Sequence, residues 1–214
     1  MRASRPLRRT LDDRQHNRGH RMGALQSMEL RTTRLLLRSL VSHDREPLFA
    51  IHADAQVMQY SNSPAWQAIA QADELIDQST KWLESGRHIC FGVASVDADG
   101  LIGTCTLYDI DRTNLRAEVG FVLGSFAWRQ GFMTEALTAV LEHAFNTLDM
   151  NRVEADTDPQ NHPAIKLLEG LGFQREGLLR ERWHTNGRKS DAAFYGLLRA
   201  DWRRRVTQTT NSVA

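Results

Sequence analysis

Arg116-Ala117-Glu118-Val119-Gly120-Phe121-Val122-Leu123, followed by Gly124-Ser125-Phe126-Ala127-Trp128-Arg129-Gln130-Gly131 and then by Phe132-Met133-Thr134-Glu135-Ala136-Leu137, is the stretch on which the fold turns. Its first part alternates. Ala117, Val119, Phe121 and Leu123 take one face and Glu118, Gly120 and Val122 the other, the period of a strand. From about Phe132 the period changes: Met133, Ala136, Leu137, Val140, Leu141, Ala144, Phe145 and Leu148 recur at three- and four-residue steps, one face of a helix. A buried helix therefore starts directly after a loop carrying Arg129 and Gly131. The first N–H groups of a helix lack intrahelical partners and its dipole favours negative charge there, so this junction suits an anion, with phosphate the expected one.

Working outward, Arg34-Leu35-Leu36-Leu37-Arg38 within Leu30 to Leu40 reads as a first strand. His43 to Ala53 reads as a short helix with Ser42 as its cap. A loop from Gln56 to Pro64 leads to a helix expected over Pro64 to Leu83, with Ser63 capping and Pro64 in the first turn. Trp66 and Trp82 give it a loose apolar face and are read as packing residues rather than ligand contacts. Strands at Ile89 to Ala94 and Leu101 to Tyr108 flank Asp97-Ala98-Asp99-Gly100, a hairpin signal, and the meander continues into Arg116 to Leu123. Beyond the central helix, Arg152 to Thr157 alternates as a strand, and Pro163 to Gly170 reads as a helix stopped by Gly170 and Gly172. Phe173 to Trp183 and Ser190 to Leu198 form a long hairpin around Asn186-Gly187. Strands in series with a helix inside a mixed sheet predict one α+β domain over residues 29–203.

The 214 residues are 41% hydrophobic and 25% charged with a net charge of +1, which fits one globular domain and gives no overall electrostatic case for nucleic-acid binding. Cys90 and Cys105 sit in strand-like stretches with no metal-ligand spacing, as small core residues of a reducing cytoplasm. No apolar run approaches the roughly 20 residues of a membrane span. His43, His52, His88, His143, His162 and His184 show no paired spacing and read as surface or packing residues. Residues 1–28 hold seven arginines from Arg2 to Arg21 without any period, so a disordered basic arm is expected. Translation starting at Met22 or Met28, contact with RNA, and a transit peptide are the readings open for it. The last is weakened by Asp12, Asp13 and few serines, and the first is preferred because patterned sequence begins just after Met28. A flexible tail is expected over 204–214.

Asn114, Arg116 to Leu123, Trp128 to Ala136, Asn161, Leu167-Leu168-Glu169-Gly170-Leu171-Gly172-Phe173, Glu176-Gly177, Gly187, Asp191, Leu197-Leu198-Arg199 and Trp202, in that order and spacing, resemble the GNAT acyltransferase superfamily. Within it they resemble the branch of the RimJ and RimL N-terminal acetyltransferases, over about Leu30 to Trp202. The resemblance implies a central, mostly antiparallel mixed sheet with one splayed parallel pair, flanked by helices. It implies acetyl-CoA as donor, held where strands 116–123 and 152–157 diverge. Backbone groups of Phe121, Val122 and Leu123 would bind the pantetheine arm as another strand would, and the loop Arg129, Gln130, Gly131, Phe132, Met133, Thr134 would take the pyrophosphate. Asn161 and Leu168 complete the cofactor set by resemblance; Asn161 is equally readable as a cap before Pro163. An amine acceptor, no metal, and a monomer or homodimer are the remaining expectations.

Acyl transfer from a thioester to an amine needs a base, an oxyanion donor and a proton for the thiolate. Glu118 is the base candidate, because its strand position directs it to the face opposite Phe121 near the splay, although a solvated charge on an edge-like strand is the competing reading. An α-amine, with a reference pKa of about 7.7–8.0 against about 10.4 for lysine, asks little of it. The N–H of Val122 or Leu123 is the oxyanion donor candidate. For the acid, many superfamily members place a tyrosine or a serine where this chain has Leu168 and Ala164, so water is left to protonate a thiol of reference pKa near 8.5. Met133 replaces a usual glycine or alanine and is expected to narrow the cleft; Trp128 is familiar in this branch. The expected function is acetyl transfer to a protein N-terminal amine or a small amine by direct attack in a ternary complex. The missing acid motivates the alternative of a catalytically silent CoA-binding regulator.

Overall fold

The alternating octet and the 3.6-period run form the strand and helix expected of them. The computed structural model describes residues 28–211 except 98, 99 and 186, with side chains as far as Arg205. In chain order the elements are β1 (Glu29–Arg31), β2 (Leu35–Arg38), α1 (Arg45–Ala53), α2 (Ala70–Ser85), β3 (Ile89–Ser95), β4 (Leu101–Asp111), β5 (Arg116–Leu123), α3 (Phe132–Glu142), β6 (Arg152–Thr157), α4 (His162–Gly170), β7 (Gln174–Thr185), β8 (Arg188–Leu198) and α5 (Arg199–Asn211). The strands make one sheet in the order β1-β2-β3-β4-β5-β6-β8-β7. Every neighbouring pair is antiparallel except β5 with β6. That pair is parallel because α3 carries the chain back across the sheet between them.

Two apolar clusters hold the layers together. Met133, Ala136, Leu137, Val140 and Leu141 of α3 are buried against Leu35, Leu37, Phe91, Val93, Leu107, Val119 and Val153 of the sheet. On the other face, α1 and α2 cover the β2–β4 end through Leu48 and Ala72 packed with Leu40, Cys90 and Leu101. This two-sided cover explains why β3 and the first part of β4 are buried at successive positions rather than at alternate ones. Further along the α1 and α2 side, Glu118, Gly120 and Val122 of β5 are only half-buried.

Several expectations are corrected. The first strand is two strands, folded by a turn in which the Leu35 N–H donates to Thr32 Oγ1 at 2.9 Å. Ser42 does not cap: Asp44, 1% exposed, accepts from the Val41 N–H at 2.9 Å and pairs with both terminal nitrogens of Arg38 at 2.6 and 2.8 Å. Burial pushes the Asp44 carboxyl up, but the Arg38 and Val41 hydrogen bonds outweigh it and hold it below the usual carboxylate range. The second helix begins at Ala70, not Pro64. Residues 64–68 are a loop held down by the Trp66 N–H donating to the His52 carbonyl at 3.0 Å and by Trp66 stacking on the His52 ring at 4.3 Å. The Gln71 side chain, rather than Ser63, accepts from the Gln67 and Ala68 N–H groups.

α3 ends in a π-type turn over His143–Thr147, closed by Leu148 N–H to His143 O at 3.0 Å. The chain is helical to Asn211 in place of the expected flexible tail, and Trp202, 4% exposed, packs on Phe145. Of the basic arm expected over residues 1–28, residues 1–27 lie outside the described residues, and Met28 packs against the core.

Candidate active site

The site is built on a fork in the sheet. β5 and β6 pair at Arg116↔Arg152, Ala117↔Val153 and Glu118↔Glu154, and the pairing then stops although β5 runs to Leu123 and β6 to Thr157. From Val119 onward, no strand among the described residues pairs with the β6-facing edge of β5. An unpaired strand edge inside a cleft offers backbone donors and acceptors to an extended ligand. Gly103 on β4 keeps this tip close, since a Cβ there would stand 2.3 Å from the Val122 oxygen. The indole Nε1 of Trp128 donates to the Leu123 carbonyl at 2.7 Å, and the Gly124 N–H donates to Ile102 O at 2.8 Å. Leu123 is thus tied at its carbonyl, a role for Trp128 that no sequence pattern announces.

Two glutamates sit at the last paired position, and they differ in their partners. Glu154 is engaged at both oxygens, by Arg116 at 3.0 Å and by Arg152 at 2.7 Å. Glu118 has no hydrogen bond or ion pair among the described residues. Burial raises its pKa above the ordinary glutamate value, and the Asp156 carboxylate raises it further; Arg182 opposes the shift, and Asp109 and Glu154 add to it. Asp156, two residues past the fork on β6, is likewise raised by burial, while one of its oxygens accepts from Trp183 Nε1 at 2.9 Å. Opposite Glu118 on β4 lies Tyr108, whose ring crosses Gly120 so closely that a Cβ there would meet Cε2 at 2.8 Å. Burial pushes the Tyr108 hydroxyl up to about 12, so it stays neutral. Neither Tyr108 nor Asp156 stands out in the sequence, because each depends on cross-strand neighbours.

Around the same face, the β7–β8 turn is fastened to the loop after α1 by Thr185 Oγ1 donating to Asn62 O at 2.8 Å. Ser125, just past β5, donates to Asp54 at the end of α1 at 2.9 Å. His52, beneath Trp66, is held to about 4 by burial and is neutral at physiological pH.

The phosphate-type loop follows the fork. Arg129 (φ 60°) and Gly131 (φ 78°) both take the left-handed conformation on either side of Gln130, and Gly131 is the N-cap of α3. Alternating backbone handedness turns successive N–H groups toward one point, an anion-binding concavity, and glycine adopts the second position without strain. The Glu135 N–H makes the first helical bond, to Gly131 O at 3.1 Å, so the N–H groups of Phe132, Met133 and Thr134 precede the ladder. Met133 is corrected: its side chain is 6% exposed and belongs to the core, so it does not narrow the cleft. Arg34, which the sequence does not single out, places its guanidinium over the Phe132 ring at 4.5 Å and donates to Gln130 O at 3.0 Å.

The remaining expected positions lie on α4. Asn161 caps that helix, its Oδ1 accepting from the Ala164 N–H at 3.2 Å. Leu168 is 1% exposed and Ala164 8% exposed, so Leu168 stands in the core as a wall and neither position brings a hydroxyl to the fork.

A parallel pair that splays beside a left-handed loop at a helix N-terminus fits an acyl-CoA: an extended amide-bearing arm along the strand edge, phosphates on the loop. This defines an acyltransferase of the CoA-dependent class. The family model described as the acetyltransferase (GNAT) domain matches residues 34–174. An N-acetyltransferase of Bacillus licheniformis named p20 is 36% identical over 173 residues, covering 81% of this chain and 97% of that protein. The ribosomal protein uS5-alanine N-acetyltransferase of Escherichia coli is 28% identical over 120 residues, 56% of this chain and 62% of that one. Spermidine N-acetyltransferase of Vibrio cholerae, solved with CoA and spermine, superposes with a TM-score of 0.71 at 23% identity, covering 80% and 99% of the two chains. The chain belongs to the GNAT acetyltransferase family. It is a GNAT-type N-acetyltransferase with acetyl-CoA as co-substrate, and the reading of a silent CoA-binding regulator is set aside.

Proposed function

We propose that the protein transfers the acetyl group of acetyl-CoA to a primary α-amine at a polypeptide N-terminus, by direct attack in a ternary complex in the cytoplasm. One observation carries the reading: β5–β6 pairing ends at Glu118, whose half-buried carboxylate has no partner among the described residues at the point where the strands part. In this account the N–H and C=O of Phe121 take the pantetheine arm, with Leu123 contributing its N–H; the backbone groups of Val122 face β4 instead. Arg129 to Thr134 holds the diphosphate, and Asn161 offers its remaining amide to CoA.

Glu118 removes a proton from the acceptor ammonium, directly or through water; the neutral nitrogen attacks the thioester carbonyl; the oxyanion is met by the N–H of Leu123, since the Val122 N–H is turned to β4 by the register that pairs Gly124 N–H with Ile102 O. Collapse breaks the C–S bond; the proton that the attacking nitrogen must still lose passes through water to the departing thiolate, leaving a neutral amide and CoA thiol. A carboxylate whose pKa is raised is a stronger base than an ordinary glutamate and is matched to an α-amine better than to a lysine. The E. coli relative that acetylates the alanine of uS5 supports this acceptor class.

A second reading, a polyamine, draws on Asp156, Asp109 and Glu154 near Glu118, and on the Vibrio cholerae neighbour solved with spermine. Thiol release from acetyl-CoA, followed by mass spectrometry, is measured against peptides whose only primary amine is the α-amine and against spermidine and spermine. Turnover with the peptides supports the proposal; turnover with polyamines alone replaces it with the second reading.

A further inference from the structure

The turn between β1 and β2 reaches the phosphate loop from a distance of about one hundred residues in sequence. Glu135, in the first turn of α3, accepts at one oxygen from Thr32 Oγ1 at 2.6 Å and from the Arg34 backbone N–H at 2.9 Å. Its other oxygen accepts from Arg34 Nε at 2.7 Å. These bonds hold the Glu135 carboxyl below the usual range against the opposing effect of burial. Arg34 Nη1 donates to Gln130 O at 3.0 Å, and its guanidinium lies over Phe132. The guanidinium has five N–H groups, of which Nε–H and one on Nη1 are used here. Its Nη2 stands 3.5 Å from the place a Cβ on Gly131 would take, beside the left-handed cap of α3.

The charges make sense only together. A bare carboxylate in that first turn would favour the helix but repel a phosphate brought to the same N–H groups. Arg34 cancels that charge and adds unused donors on the loop side. Arginine is suited to this double engagement because its fork can meet a carboxylate with one edge and a phosphate with another.

We infer that Arg34 is a side-chain donor to the diphosphate of acetyl-CoA, its Nη2 group adding to the backbone N–H groups of the Arg129 to Thr134 loop, with Glu135 and Thr32 fixing its position. This rests on the reading that the diphosphate occupies that loop. The inferred contact is electrostatic and directional, so a donor without phosphates does not sense it.

The test compares kcat/KM for acetyl-CoA, acetyl-3′-dephospho-CoA and acetyl-pantetheine in the full chain and in Arg34→Ala, Arg34→Lys and Gly131→Glu, with folding checked by thermal melting. Arg34→Met, which keeps an aliphatic stem over Phe132, replaces the alanine variant if that one is unfolded. The expected result is a loss of roughly 10- to 100-fold for both phosphate-bearing donors in Arg34→Ala, the size of a lost charge-assisted hydrogen bond. Lysine restores part of it, and acetyl-pantetheine stays within about twofold of the unmodified protein. Equal losses for all three donors mean that Arg34 only braces the loop, which overturns the inference. A loss confined to the donor with the 3′-phosphate also overturns it, moving Arg34 to that group. If Arg34→Ala changes nothing while Gly131→Glu abolishes use of acetyl-CoA, the inference fails and the loop assignment stands; if neither variant matters, the loop assignment itself fails.

Discussion

Replacing Glu118 by glutamine keeps the shape of the side chain and removes its ability to take a proton. A positioned general base contributes roughly 10²–10⁴ in rate, and one relaying through water belongs at the low end, so kcat should fall about 100-fold, or about 2.7 kcal/mol in barrier. The loop and the β5 edge are untouched, so the acetyl-CoA dissociation constant should stay within about twofold. The loss should depend on pH. Below the α-amine's pKa, near 8, the enzyme must supply deprotonation; well above it the amine arrives neutral and the deficit should shrink. In the unmodified protein, kcat/KM should rise through the Glu118 ionisation, displaced upward from the ordinary glutamate value by burial and by Asp156. Thiol-release rates at saturating acetyl-CoA from acid to mildly alkaline pH, with acetyl-CoA titrations beside them, give both readouts. Equal activity of Glu118→Gln at every pH would remove the residue from the mechanism.

The same shift has a consequence for stability. Because folding raises the Glu118 pKa, its contribution is fully present below the unfolded value and is lost as pH rises through the folded one. At neutral pH its charge therefore opposes folding, and Glu118→Gln should melt no lower, and somewhat higher, than the parent; a clear fall in Tm would contradict this. Asp44 behaves oppositely: its lowered pKa gives stability present above about pH 4 and lost as pH falls through the folded value. Asp44→Ala removes a carboxylate 1% exposed together with its two bonds to Arg38 and its bond from the Val41 N–H, and should cost about 3–5 kcal/mol by denaturant unfolding. Gly103→Ala would press a Cβ to within 2.3 Å of the Val122 oxygen, so KM for acetyl-CoA should rise more than kcat falls in initial-rate assays. Trp128→Phe loses the 2.7 Å bond to Leu123 O and should destabilise by about 1–3 kcal/mol by the same unfolding measurement.

The parts legible in the sequence are those set by local period. β5 and β6 fall where the alternation puts them, and α3 starts at Phe132. The handover from strand to glycine-bearing loop to helix is local too, which is why the residues alone point to an anion site there. The expectation for α2 fails because Ser63 and Pro64 look like a helix start while the Trp66–His52 stack and backbone bond, a tertiary contact, hold that segment as a loop. Residues from 204 onward read as a tail because they are almost wholly polar and carry no apolar period, whereas the helix that includes them starts at Arg199 and is anchored by Trp202 against Phe145. The site shows the same division. Glu118 is visible from its strand face, whereas its freedom from ion pairing among the described residues depends on Arg116 and Arg152 both choosing Glu154. Arg34 and Asp156 act through partners distant in sequence, Glu135 and Gln130 for the first and Trp183 for the second, and Trp128 acts through a backbone carbonyl, so no spacing in the chain reports them.

The central claim is amine acetylation at the fork, by direct transfer, with Glu118 as base. It is tested most directly by initial rates over a grid of acetyl-CoA and α-amine peptide concentrations, with the product sequenced by mass spectrometry. The account predicts intersecting reciprocal plots, one thiol released for each acetyl group found on the peptide α-nitrogen, and the loss of both signals together in Glu118→Gln. Parallel plots with an acetylated enzyme, or thiol release without any acetylated amine, would contradict it.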